Sequence, residues 1–241
     1  MKPAVKTILV LTIFSMAMGF MESAVVVYLR TLYYPSGFDF PLVPMATTVL
    51  FTELLREAAT LIMLLSIAII AGKNFAQQFV FFLFCFAVWD IFYYVFLKLL
   101  IDWPPSLLTS DILFLLPVPW AGPVLAPCLL SMTMILMTFM ILYLQQHQFT
   151  VSFRRIDWLL MITASLIVIF SFTVDYFGIL YNATGMLNSI VLQDTLGKFT
   201  PERYNWYIFA VGELIILTDM VLMYVRSLQA KNREMQDSIH N

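Results

Sequence analysis

The chain has 241 residues, of which 61% are hydrophobic and 12% charged, with a formal net charge of −2. Soluble domains carry about 45–50% apolar and about 25% charged residues, so the composition excludes an ordinary soluble domain. The near-neutral charge and the lack of any Lys/Arg run exclude a nucleic-acid partner. Several segments reach the ~20 apolar residues that cross a bilayer, and the lipid bilayer is therefore the one partner that composition specifies.

Lys2 and Lys6 precede an apolar stretch over residues 7–28. Ala17-Met18-Gly19 offers a cleavage site for a secretory leader, but the apolar run continues to Val27 and fits a retained first span containing Glu22. The connection over 31–44 mixes Tyr33 and Tyr34 with the turn formers Pro35, Gly37 and Pro41. A second span over 45–71 holds Glu53, Arg56 and Glu57, whose spacing puts all three on one helix face. After Gly72-Lys73-Asn74, a third span over 75–100 repeats Asp90, Tyr94 and Lys98 along one stripe.

Trp103-Pro104-Pro105 ends that helix, and from Ile112 to Leu144 the sequence stays apolar, too long for one span and too short for two. We read 111–116 as a short half-helix, re-entrant or interfacial, with Asp111 in its first turn. Residues 117–123 then form an irregular turn, and 124–144 the fourth span. The connection 145–157 carries His147, Arg154 and Arg155. A fifth span, 158–181, contains Asp175, and the long polar loop after it has Met186, Leu187, Ile190, Val191 and Leu196 spaced as one face of a surface helix. The last span, 206–225, holds Glu213 and Asp219, and a charged tail follows that frays or extends the helix. The expected fold class is all-α: a polytopic membrane bundle of about six transmembrane helices, residues 1–241 forming one integral membrane domain.

Six spans place both termini on one side. That side collects Lys2, Lys6, Lys73, Arg154, Arg155, Arg226, Lys231 and Arg233, against Arg30, Lys98, Lys198 and Arg203 on the other. By the positive-inside rule the termini are cytoplasmic. Glu22, Glu53, Glu57, Asp90, Asp175 and Glu213 then each fall roughly 6 to 12 residues from the outer end of their helix, about 9–18 Å deep at ~1.5 Å per residue. Each such charge costs about 2.5–3.5 kcal/mol to bury in lipid. Arg56 and the peripheral Lys98 cannot neutralise six carboxylates, so some are protonated, hydrated or bound to a cation.

We therefore expect one binding site for a proton, cation or small polar ligand, made of Glu22, Glu53, Arg56, Glu57, Asp90, Tyr94, Asp175 and Glu213, serving transport. Any metal would sit among Glu22, Glu57, Asp90, Asp175 and Glu213 and would be a hard, oxygen-preferring ion. No histidine falls in a span and no Cys-x-x-Cys is present, which disfavours histidine-ligated haem and ordinary zinc sites and leaves the cofactor undefined. Cys85 and Cys128 read as small buried hydrophobes. Met132, Met134, Met137 and Met140 only partly share a face, which favours packing over Cu(I) binding. No nucleophile motif or phosphate loop is present. An acid and base pair such as Asp90 with Glu57, assisted by Tyr93 or Tyr94, keeps an intramembrane enzyme acting on a lipid or isoprenoid as the alternative, beside a structural or assembly role. The sequence defines no oligomeric state.

Three segments, Phe20-Met21-Glu22 with Tyr28-Leu29-Arg30, Trp89-Asp90-Ile91-Phe92-Tyr93-Tyr94, and Pro117-Val118-Pro119-Trp120-Ala121-Gly122-Pro123 with the following Val124 to Pro127, resemble an uncharacterised group of bacterial polytopic membrane proteins. The resemblance covers roughly the first half of the chain. It implies a bacterial inner-membrane location and carries no activity or functional residue with it.

Overall fold

In the computed structural model, which describes residues 3–149, 151–184, 200 and 204–240, six helices carry nearly all the regular structure. They are α1 (Pro3–Tyr33), α2 (Thr47–Ala71), α3 (Phe75–Ile101), α4 (Leu125–Gln146), α5 (Arg155–Thr184) and α6 (Trp206–His240). All six are long and apolar enough to cross a membrane, as in an integral membrane protein. Exposed Ile62, Ile70, Leu99 and Leu166 lie on outer faces suited to lipid. The expected surface helix at 186–196 lies outside the described residues.

Buried share separates the helices. In its most apolar window α3 is 56% buried, against 22% for α1 and for α2, so α3 is the central helix of the first half and the other two present most of their surface outward. Small residues set the close approaches. A side chain at Gly19 would meet the Trp89 carbonyl oxygen at 2.9 Å, and one turn on, Ser23 donates to the Tyr93 carbonyl at 2.9 Å, so α1 and α3 cross nearly backbone to backbone. Gly212 plays the same part between α6 and α5, where a Cβ would lie 3.0 Å from the Ala164 carbonyl oxygen. α4 joins the halves: Thr138 donates to the Val80 carbonyl of α3 at 2.9 Å, and Thr133 bonds Glu213 of α6.

The α2–α3 turn is fixed by Asn74, whose side chain accepts the Gln77 N–H at 3.0 Å as an N-cap. α1 runs a turn beyond the expected span, which puts Arg30 inside the helix, and α6 continues through the charged tail to His240.

The half-helix expected at 111–116 is instead a strand. β1 (Ser110–Phe114) pairs antiparallel with β2 (Trp120–Pro123), with Asp111 opposite Gly122, Ile112 opposite Ala121 and an irregularity before Phe114. A six-residue helix makes few internal bonds to offset its nucleation cost, and Pro117 pushes Leu116 toward extended conformations. A hairpin satisfies the backbone of so short a piece by pairing it with the next one. The segment does re-enter the bundle. The N–H groups of Leu115 and Leu116 reach Glu57, ten residues inside α2 and so about 15 Å from its start. Trp120 stacks on Phe172 of α5 at 6.3 Å, and Phe114 meets Trp89 of α3 edge-on at 6.3 Å. Non-helical backbone at this depth is tolerated because protein surrounds it.

Candidate functional site

Three helices and the hairpin enclose a cavity of about 120 Å³, lined by Glu22, Arg30, Glu53, Arg56, Glu57, Tyr93 and Asp111 among apolar residues. The 34–45 connection adds Tyr34, Phe38, Leu42 and Met45 to its wall. The charges come from three elements: α1 (Glu22, Arg30), α2 (Glu53, Arg56, Glu57) and β1 (Asp111). Arg56 of α2 bridges two carboxylates: its Nη1 pairs with Glu22 of α1, and its Nη2 and Nε lie 2.8 Å from Glu53 one turn back. Glu57, on the next position of α2, turns away from Arg56 toward the hairpin. Both its oxygens accept the Leu115 N–H at 3.0 Å, and one also accepts the Leu116 N–H at 3.2 Å.

Arg30 and Asp111 form the second centre. Arg30 Nη2 lies 3.0 Å from Asp111 Oδ1, both side chains being at least nine-tenths buried. The guanidinium carbon sits 3.8 Å from the Trp103 ring centroid and 4.4 Å from that of Phe38, so the cation is held between two aromatic faces. The Tyr93 hydroxyl donates to Asp111 Oδ2 at 3.5 Å, and the Tyr94 hydroxyl lies close to the same carboxylate. Burial pushes the Asp111 carboxyl up to about 6, against the opposing pull of Arg30, the Ile112 N–H and the two tyrosine hydroxyls. One terminal nitrogen of Arg30, Nη1, has no acceptor among the described residues.

The common depth of the acids holds: measured along their helices from the hairpin end, all six lie roughly 6 to 11 residues in. Their convergence on one site does not. Glu22, Glu53, Arg56 and Glu57 share the cavity, whereas Asp90, Tyr94, Asp175 and Glu213 do not line it. Asp90 faces α4 and accepts from Ser131 Oγ at 2.8 Å. Glu213 faces α4 from the other side and accepts from Thr133. Tyr94 packs edge-on against Tyr93 with centroids 4.7 Å apart and reaches the cavity only through Asp111, and Asp175 is half-buried on α5. Lys98 of the same stripe ends outside, 2.6 Å from Asp102.

Depth fixes a residue's height in the bundle and leaves its bearing around the helix axis open. The acids therefore share a level while facing different neighbours. Among the described residues no three acid, histidine or cysteine side chains gather as a metal site. Met137 is in the core and Met132 is exposed, so the four methionines of α4 do not share one face, although Met134 and Met137 line a cavity with Met161 of α5.

Arg30 and Asp111 are the site residues that sequence reasoning passed over, one as a loop charge and the other as a first-turn acid. The signal for Arg30 was the run of residues 29–33, helical in character, which carries α1 one turn further. Neither a protein-family model, nor a curated protein, nor a solved structure matches this chain.

Proposed function

We propose that the hairpin-capped cavity binds a proton, a small inorganic cation or a small cationic solute, and that the protein moves it across the bilayer. The observation that carries this reading is the charge count of the cavity wall: Glu22, Glu53, Glu57 and Asp111 against Arg30 and Arg56. Two guanidiniums balance two carboxylates, and in so sheltered a site the remainder take up protons, water or a cation. The distribution of basic residues supports cytoplasmic termini and a cavity in the outer half of the membrane. The resemblance of three segments to bacterial polytopic membrane proteins supports the inner membrane of a bacterium as its location.

The test is flux in proteoliposomes loaded with a pH-reporting dye, with sodium, potassium or methylammonium supplied outside. Glu53→Gln removes a cavity carboxylate while Glu22 still pairs with Arg56, and is expected to slow cation- or proton-linked flux about tenfold, the effect of ~1.4 kcal/mol. Glu213→Gln, outside the cavity, is expected to leave flux unchanged. Absence of flux with every one of these cations and with protons alone sinks the reading.

One observation favours a second reading, an intramembrane enzyme acting on a lipid or isoprenoid. Much of the cavity wall is apolar, with Val26, Leu29, Leu42 and Leu113 beside the spare Arg30 donor, which suits an amphiphile with a polar head. Product formation from a lipid extract, without flux, would select it.

A further inference from the structure

At the opposite end of the bundle, residues 151–154 lead into α5 between two cavities. Ser152 and Arg154 line a small polar pocket of about 80 Å³ together with Arg226 and Ser227 of α6. Phe153 lines an open cavity of about 310 Å³ with Phe75, Gln145 and Trp158, and Val151 borders both. Successive residues of one short segment thus serve a polar site and an aromatic one.

The polar pocket is basic. Arg226 donates through Nη2 to Asp157 and through Nε to the Leu222 carbonyl at 3.1 Å, and Asp157 also accepts the Arg154 N–H at 2.7 Å. The Arg154 side chain is exposed, and among the described residues no carboxylate pairs with it. Asp219, the other acid nearby, neighbours Asp157 and does not line the pocket. Two guanidiniums thus line the pocket and no carboxylate does, Asp157 and Asp219 lying behind Arg226, and the space is large enough for several waters. The height of the pocket is marked by an aromatic cluster in the first turns of α3 and α5. Trp158 lies 5.1 Å from Phe79, 5.5 Å from Phe153 and 5.8 Å from Phe75, as in the belts that sit at lipid headgroup level.

We propose that this pocket binds the phosphodiester of an anionic phospholipid. The phosphate lies between Arg154 and Arg226, where guanidinium donors match phosphate oxygens, and the glycerol and upper acyl carbons lie against Phe153 and Trp158. Free inorganic phosphate shares the first half of this chemistry and lacks the second.

The full chain, purified in detergent, is titrated with phosphatidylglycerol, with phosphatidylcholine and with inorganic phosphate, reading lipid retention by native mass spectrometry and Tm by thermal unfolding. Phosphatidylglycerol is expected to be retained and to raise Tm, phosphatidylcholine to be retained more weakly, and inorganic phosphate to leave Tm unchanged. Arg154→Gln is expected to weaken phosphatidylglycerol retention about fivefold, the factor one basic residue contributes near an anionic surface. Arg155→Gln removes the same charge one residue outside the pocket and is expected to leave retention unchanged. Equal losses in the two variants mean diffuse surface attraction and overturn the proposal. It is overturned as well if phosphatidylcholine is retained as strongly, or if inorganic phosphate alone raises Tm as much as the lipid.

Discussion

At the hairpin end, Arg30 and Arg56 each join separate elements: Arg30 ties α1 to β1 through Asp111, and Arg56 ties α2 to α1 through Glu22. At the end that carries the termini, Arg226 makes its ion pair with Asp157, whose other oxygen caps the start of its own helix, and Lys231 spends its charge on the His147 carbonyl at 2.7 Å and the Phe149 ring. Both ends hold arginines and acids. The ion pairs of both ends join distant stretches of chain, but the first end gathers six charged groups round one cavity, whereas at the second a single buried acid, Asp157, pairs with Arg226 beside the exposed Arg154. Enclosed charges are costly to leave single, whereas charges near the membrane surface can turn to water. The comparison predicts unequal damage from like-for-like substitutions.

The largest effect is expected from Arg30→Met, which leaves Asp111 buried without its cation and should cost about 3–5 kcal/mol, read as loss of stability to thermal or denaturant unfolding in detergent. Combining it with Asp111→Leu should restore most of that loss, because the penalty belongs to the orphaned charge. Glu57→Ala comes next, at roughly 3 kcal/mol, since two backbone donors at mid-depth lose their acceptor at ~1–3 kcal/mol each. Glu57→Gln keeps an accepting oxygen and should cost clearly less.

A third expectation concerns pH. The Asp111 carboxyl is raised in the folded protein to about 6 from an ordinary value of 3.8, so folding favours its protonated form. Its contribution to stability is complete below about pH 4 and is lost as pH rises through 6. Between pH 7 and pH 4 the wild type should therefore gain stability relative to Asp111→Asn, and a difference that stays flat across this window would contradict the assignment. The smallest effect is expected from Arg226→Met, about 2 kcal/mol, because Asp157, although buried, retains the Arg154 N–H and the Arg226 side chain is itself 22% exposed. A loss as large as that of Arg30→Met would erase the distinction between the ends.

How much of this was legible in the sequence differs by kind of information. The membrane class, the six spans and the shared depth of the acids follow from hydropathy and from counting residues along helices, which are one-dimensional quantities. Which acids meet is set by rotation about each axis. Asp90 and Glu22 share a level, yet Ser131 of α4 claims the first and Arg56 of α2 the second. The hairpin was misread because Ile112 to Leu116 is a short apolar run without a period of its own, where helix and strand look alike. Its choice depends on β2, on the proline at 117 and on an acceptor at Glu57, 58 residues upstream. The spacing of Glu53, Arg56 and Glu57 correctly placed three charges on one face of α2. It did not reveal that Glu57 would point to a backbone while Arg56 held Glu22.

The insertion of the hairpin tip also constrains the order in which the chain assembles. Leu115 and Leu116 carry backbone donors that lipid cannot satisfy, and their acceptor on α2 is already made when this segment leaves the ribosome. The other wall of the tip, Phe172 of α5 stacked on Trp120, is synthesised about 50 residues later. Until α5 is made, β2 lacks the Phe172 face that covers Trp120, although every element that lines the cavity has already been translated.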